Sequence, residues 1–238
     1  YGYKGGQGRS TALGLLSKGL ADDGYRVLLL DADIEAPSLD MLLGAHAENV
    51  SQTLMGLCGW SDQLHPVQGA YSGSGGGRVD IVPARPRSEV YDLDFALLAA
   101  TTPLDPRIFE RAANRLKQTL LNNVDEYDVV MVDHRTGIAS SVIPLLRNLP
   151  GSAVVFARTD MNTASLPSEL KQVVRAIFSN TAATPGAFVS FSLDPNKSTE
   201  QSEDGSEARL RELLLGELMD AFESRYPDYD FSATDVSP

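Results

Sequence analysis

The feature that most constrains this chain is its opening. Lys4-Gly5-Gly6-Gln7-Gly8-Arg9-Ser10-Thr11 sets three glycines within four residues and runs straight into a helical pattern. Gly5, Gly6 and Gly8 let backbone N–H groups approach an anion without Cβ clashes. The pattern predicts a helix from Ser10 to Asp22, with Leu13, Leu16 and Leu20 on one face and Gly24 beyond its end. The positive end of that helix faces the same anion. Arg9 adds a full charge, and Ser10 a hydroxyl suited to a hard cation such as Mg²⁺. The match to the pattern G-x-x-x-x-G-K-[ST] is partial. Gly8 and Ser10 fit, but Tyr3 stands in the place of the first glycine and Arg9 in that of the lysine. The plain alternative is a glycine-rich turn ahead of a helix.

Two acidic strand ends reduce that alternative. Arg26–Asp31 is a short apolar run ending on acid, with Asp33 close behind, and Asp128–Asp133 is another. Ligands of open α/β sheets gather at the carboxyl ends of strands. A phosphate loop with acidic strand ends is what Mg²⁺-nucleotide binding needs, the acids holding metal-bound water rather than phosphate. Further strands are predicted at 79–82, 152–157 and 187–193. Helices are predicted at 38–43, 50–57, 105–124, around 166–177 and at 207–224, and a glycine-rich loop at 69–77. Alternating strands and helices predict a three-layer α/β fold with a mostly parallel sheet, read as one domain over 1–238. A phosphate loop ordinarily follows a buried strand, so such a strand is expected ahead of Tyr1.

Charge narrows the partners. The net charge is −12, and residues 199–238 carry eleven acids against three arginines, a net of −8. An acidic field repels nucleic acid and anionic lipid, so no clear DNA-binding patch and no membrane anchor are expected. That acidic segment is read as a variable helix and tail, docked on the core or offered to a partner. No apolar run is long enough for a membrane span, and no signal peptide is evident. Cys58 is the single cysteine, which fits a reducing cytoplasm. His46, His65 and His134 show no metal-ligand spacing. Arg78, Arg85 and Arg87 form a small basic run, read as a solvated loop or, alternatively, a contact to phosphate or an acidic partner.

KGGQGRST, then VLLLDADIEAPSLD, then DVVMVDHRTG resembles the MinD/ParA family, the deviant Walker A P-loop ATPases. The resemblance reaches to about residue 195 and takes in VDIVPA at 79–84. It implies a P-loop NTPase fold, ATP and Mg²⁺ as ligands, and a nucleotide-dependent homodimer that controls an unidentified partner protein. Position by position, it implies that Lys4 reaches the partner subunit's nucleotide and that Gly5, Gly6, Gln7, Gly8 and Arg9 cradle phosphate. Ser10 would bind Mg²⁺, with Thr11 near the α-phosphate. Asp33 would orient the attacking water, Asp31 and Asp133 would be acids of the metal site, and Gly137 the switch glycine. Preference for ATP over GTP rests on the resemblance alone.

Two positions depart from the family pattern. Arg9 replaces a lysine; arginine can fork onto two oxygens but is bulkier and planar, so binding and turnover need not survive together. Arg135, in Asp133-His134-Arg135-Thr136-Gly137, is read as a γ-phosphate sensor, a partner contact, or a surface ion pair with a nearby carboxylate. Three functions follow. The first is a dimerising ATPase switch and the second a non-hydrolysing ATP sensor or scaffold. The third is a bacterial-type protein-tyrosine kinase, suggested by Tyr226 and Tyr229 near the C-terminus.

Overall fold

The computed structural model describes residues 8–87, 89–102, 104–105, 107–123, 125–135, 141–149, 152–158, 172 and 186–192. The elements are α1 (Arg9–Asp22), β1 (Arg26–Asp31), α2 (Leu39–Leu43), α3 (Leu54–Leu57), β2 (Val67–Ser72), β3 (Arg78–Val82), α4 (Asp92–Thr101), α5 (Ile108–Asn122), β4 (Val129–Asp133), α6 (Val142–Asn148), β5 (Ser152–Arg158) and β6 (Gly186–Ser192). Short 3-10 turns occupy Val50–Gln52 and Glu89–Tyr91.

Strand β1 lies at the centre of a four-stranded sheet ordered β2-β3-β1-β4. It pairs in parallel with both β3 and β4, while β2 runs antiparallel to β3 on the edge. Strands β5 and β6 form a separate parallel pair. The expected mostly parallel sheet is present, but the described strands fall into two hydrogen-bonded groups rather than one.

The apolar run Val27-Leu28-Leu29-Leu30 is buried throughout because both faces of β1 are covered. Successive strand side chains point to opposite faces. Leu28 and Leu30 pack with Leu54, Leu57, Phe109, Ala112 and Leu116 of α3 and α5. Val27 and Leu29 pack with Ala21, Leu39, Leu13 and Leu20 of α1 and α2. Helices on both faces make the three-layer α/β architecture.

Several local expectations change. Helix α1 buries Gly14, Ser17 and Ala21, with Leu13 and Leu20 beside them, whereas Leu16 is 55% exposed. Its inner face is lined by small residues because α2 lies close: a Cβ on Gly14 would sit 2.3 Å from Leu42 Cδ2. Of the glycine-rich loop at 69–77, residues 69–72 belong to β2, and the turn proper packs on the end of α1. There Asp22 accepts hydrogen bonds from the Ser74 backbone N–H and hydroxyl and from the Tyr71 hydroxyl. Helix α5 begins at Ile108 rather than Asp105, because Asp105 accepts the Arg107 N–H and forms a turn ahead of it. Helices α4 and α6 were not expected. The predicted helices around 166–177 and at 207–224 lie outside the described residues. Among the described residues, no helix is long and apolar enough to cross a membrane.

Candidate functional site: a phosphate loop against Asp133

The site forms at the carboxyl ends of β1 and β4. These strands are in register, with Asp31 opposite Asp133, and Ala32 N–H donates to the Asp133 carbonyl at 2.9 Å. The phosphate loop ends at Gly8, whose φ of 73° is a left-handed conformation that glycine adopts without cost. Its carbonyl accepts the Ala12 N–H at 2.8 Å, closing the first turn of α1. Gly8 therefore turns the loop into the helix.

Arg9 and Ser10 then converge on one carboxylate. Arg9 Nε–H donates to Asp133 Oδ1, and Ser10 Oγ–H donates to Asp133 Oδ2. Arg9 and Asp133 are both buried, with side chains 9% and 1% exposed. A hydroxyl and a carboxylate side by side are hard oxygen donors of the kind that Mg²⁺ takes. Among the described residues, no cluster of three His, Cys, Asp or Glu side chains could cage a metal ion without a ligand's oxygens. Thr11 is exposed on the first turn.

Asp31 accepts backbone N–H groups on both of its oxygens. One oxygen accepts the Asp33 N–H at 3.0 Å, and the other accepts those of Ser38 and Leu39 at 2.9 and 3.1 Å. It thereby shapes the loop that carries Asp33 and caps the start of α2. Burial pushes its pKa up to about 6 despite those donors, and the neighbouring Asp133 adds to the rise. Asp33 is partly buried, and its Oδ1 accepts the Ala36 N–H at 3.1 Å.

His134, set aside in the sequence, is buried directly after Asp133. Burial pushes its pKa down to about 3, helped by the charge of Arg9, and its Nδ1 has no hydrogen-bond partner. Arg135 forms an ion pair with Glu35, in the loop after β1. Sequence spacing gave no signal for that partnership, because the two residues lie 100 positions apart. Each arginine of the basic run after the glycine turn is ion-paired with a carboxylate. Arg78 pairs with Asp80, Arg85 with Asp92, and Arg87 with the buried Asp40. Burial pushes Asp40 up, but the Arg87 guanidinium outweighs it and holds the carboxyl below its ordinary range. Lys4, Gly5, Gly6, Gln7 and Gly137 lie outside the described residues.

The AAA domain family model (AAA_31) matches residues 1–148. The antiactivator FleN of Pseudomonas aeruginosa is 33% identical over 147 residues, covering 61% of this chain and 45% of FleN. The chain spans about half the length, or less, of the curated relatives it matches. Among solved structures, cobyrinic acid a,c-diamide synthase from Mycobacterium smegmatis, with bound ADP and magnesium, superposes with a TM-score of 0.63 at 19% identity, covering 89% of this chain and 79% of that one. The septum site-determining protein MinD from Pyrococcus horikoshii, complexed with Mg-ADP, gives 0.51 at 20% identity, covering 95% and 86%. The family model, which covers more than half of the chain, shows that this chain belongs to the AAA domain family (AAA_31), and it shares its fold with MinD.

Proposed function

We propose that the chain binds ATP with Mg²⁺ at the Gly8–Thr11 loop and works as a nucleotide-dependent dimerising switch that controls a partner protein. The observation that carries this reading is the convergence of Arg9 and Ser10 on Asp133, beside the loop that Asp31 shapes around Asp33. ATP would enter with its phosphates over Gly8 and the first turn of α1. Arg9 would keep its Nε–H on Asp133 and turn its terminal N–H groups to phosphate oxygens. Ser10 would ligate Mg²⁺ and Asp133 would order its water shell; the ion, when bound, neutralises phosphate charge. Asp33 would orient the water that attacks the terminal phosphate, releasing ADP and phosphate. Lys4 would act across a homodimer. The output would be a change of partner rather than a new product.

The test is phosphate release from MgATP across a range of protein concentrations. Turnover per subunit that rises with concentration supports a dimeric active unit, and a flat profile overturns it. A Lys4→Ala variant should still bind nucleotide yet fail to dimerise with it; normal dimerisation would sink the action in trans.

A second reading, a non-hydrolysing sensor, draws on the burial of Arg9 against Asp133. A bulky planar cation fixed there suits binding more than transition-state geometry. Turnover that appears in Arg9→Lys and is absent from the parent would favour it.

A further inference from the structure

We propose that Arg135 reads the terminal phosphate of the bound nucleotide by exchanging its partner, and that Glu35 holds it in reserve. The inference rests on nucleotide binding at Arg9, Ser10 and Asp133.

Arg135 and Glu35 leave adjacent strands at the end where the phosphate loop lies. Asp31 and Asp133 are opposite each other in register. Arg135 follows Asp133 by two residues, at most about 7 Å of chain. Glu35 follows Asp33 by two residues in the loop after β1. Their ion pair thus bridges the loop carrying Asp33 and the segment leaving Asp133.

Three arginines of this region have carboxylate partners, and the partners differ in one decisive way. Arg9 and Arg87 are held by Asp133 and Asp40, each with its side chain 1% exposed. Withdrawing a cation from a buried carboxylate strands an unpaired charge. Glu35 is 55% exposed, and water solvates it readily once Arg135 leaves. Of these three, Arg135 is therefore the cation that can change partners at little cost. A guanidinium also offers a fork of N–H donors that matches phosphate oxygens better than a single solvated carboxylate. ADP lacks the terminal phosphate and leaves the pair with Glu35 intact. ATP draws Arg135 away and releases Glu35, so that the loop carrying Asp33 responds to the third phosphate.

The test measures affinities of the full chain for ADP and for a non-hydrolysable ATP analogue, each with Mg²⁺, by fluorescence titration. Arg135→Ala should weaken the ATP analogue about tenfold, as expected for loss of charge-assisted hydrogen bonds, and leave ADP unchanged. Glu35→Gln should tighten the ATP analogue up to about fivefold, the worth of an exposed ion pair, again without moving ADP. In the Arg135→Ala background, Glu35→Gln should have no effect. Equal shifts for both nucleotides, or no shift in either variant, would overturn the exchange while leaving nucleotide binding intact. A parent chain that binds neither nucleotide would overturn the underlying reading and this inference with it. Circular dichroism of each variant guards against misfolding, and Arg135→Lys, which keeps the charge but loses the fork, should fall between parent and alanine.

Discussion

Arg9, at the start of α1, and Asp133, at the end of β4, form a buried ion pair across 124 residues of sequence. That pair pins the phosphate loop to the central sheet and presents Ser10 to the same carboxylate. It makes the site partly a structural joint, so changes there should register in stability as well as in binding.

Arg9→Ala strips Asp133 of its cation in a buried setting and should lower the unfolding free energy by about 3 kcal/mol. Arg9→Lys keeps the charge and should cost less. Urea denaturation of the three proteins tests this ordering. Equal stability of parent and Arg9→Ala would mean that the pair does not hold the loop.

Acid should act on this site through two groups with opposite signs. The folded-state pKa of His134, about 3, lies below the ordinary 6.5, so the unfolded chain binds more protons between those values. Stability from His134 is therefore gained as pH rises from about 3 to 6.5. For Asp31 the folded value, about 6, lies above 3.8, so its contribution runs the other way and stability falls as pH rises through that window. The two contributions oppose each other across pH 4 to 6.5 and largely cancel in the parent. A His134→Asn variant keeps only the Asp31 contribution, so its unfolding free energy should fall, relative to the parent, as pH rises through the same window. An unchanged pH profile in the variant would show that His134 is not buried neutral.

Two glycine replacements should have opposite signs. A Cβ on Gly73 would lie 2.0 Å from the Ala21 carbonyl oxygen, so Gly73→Ala must push the β2–β3 turn off α1. Such overpacking costs about 1–3 kcal/mol. Gly19 lies within α1 with open space where its Cβ would go, so Gly19→Ala should stabilise by about 0.5–1 kcal/mol. Thermal melts of the two variants should move in opposite directions; a neutral Gly73→Ala would mean that the turn does not rest on the helix.

Much of this architecture was legible in the sequence, where periodicity and chemistry agreed. The apolar run of β1 ending on Asp31, the loop glycine Gly8 and the long helix α5 each carry a local signal strong enough to survive tertiary context. Helix α4 was missed because Leu93 and Leu97 lie on its exposed side, so it shows no clean alternation of apolar and polar faces. The buried roles of Arg87 and His134 were missed for another reason. Burial of a charged or titratable side chain depends on partners such as Asp40, 47 residues away from Arg87, which no local pattern encodes. Asp31 was read as an acid of the metal site, and spacing could not show that both its oxygens accept backbone N–H groups. The pairing of Arg135 with a carboxylate was among the alternatives the sequence offered, but not that Glu35 would supply it.

The most direct test of the account is calorimetric titration of the purified chain with ATP, in the presence of Mg²⁺ and again with the metal chelated. Saturable binding that weakens on chelation, and weakens further in Ser10→Ala, is the predicted result. No binding at millimolar ATP under either condition would contradict the reading of Gly8, Arg9, Ser10 and Asp133 as a nucleotide site.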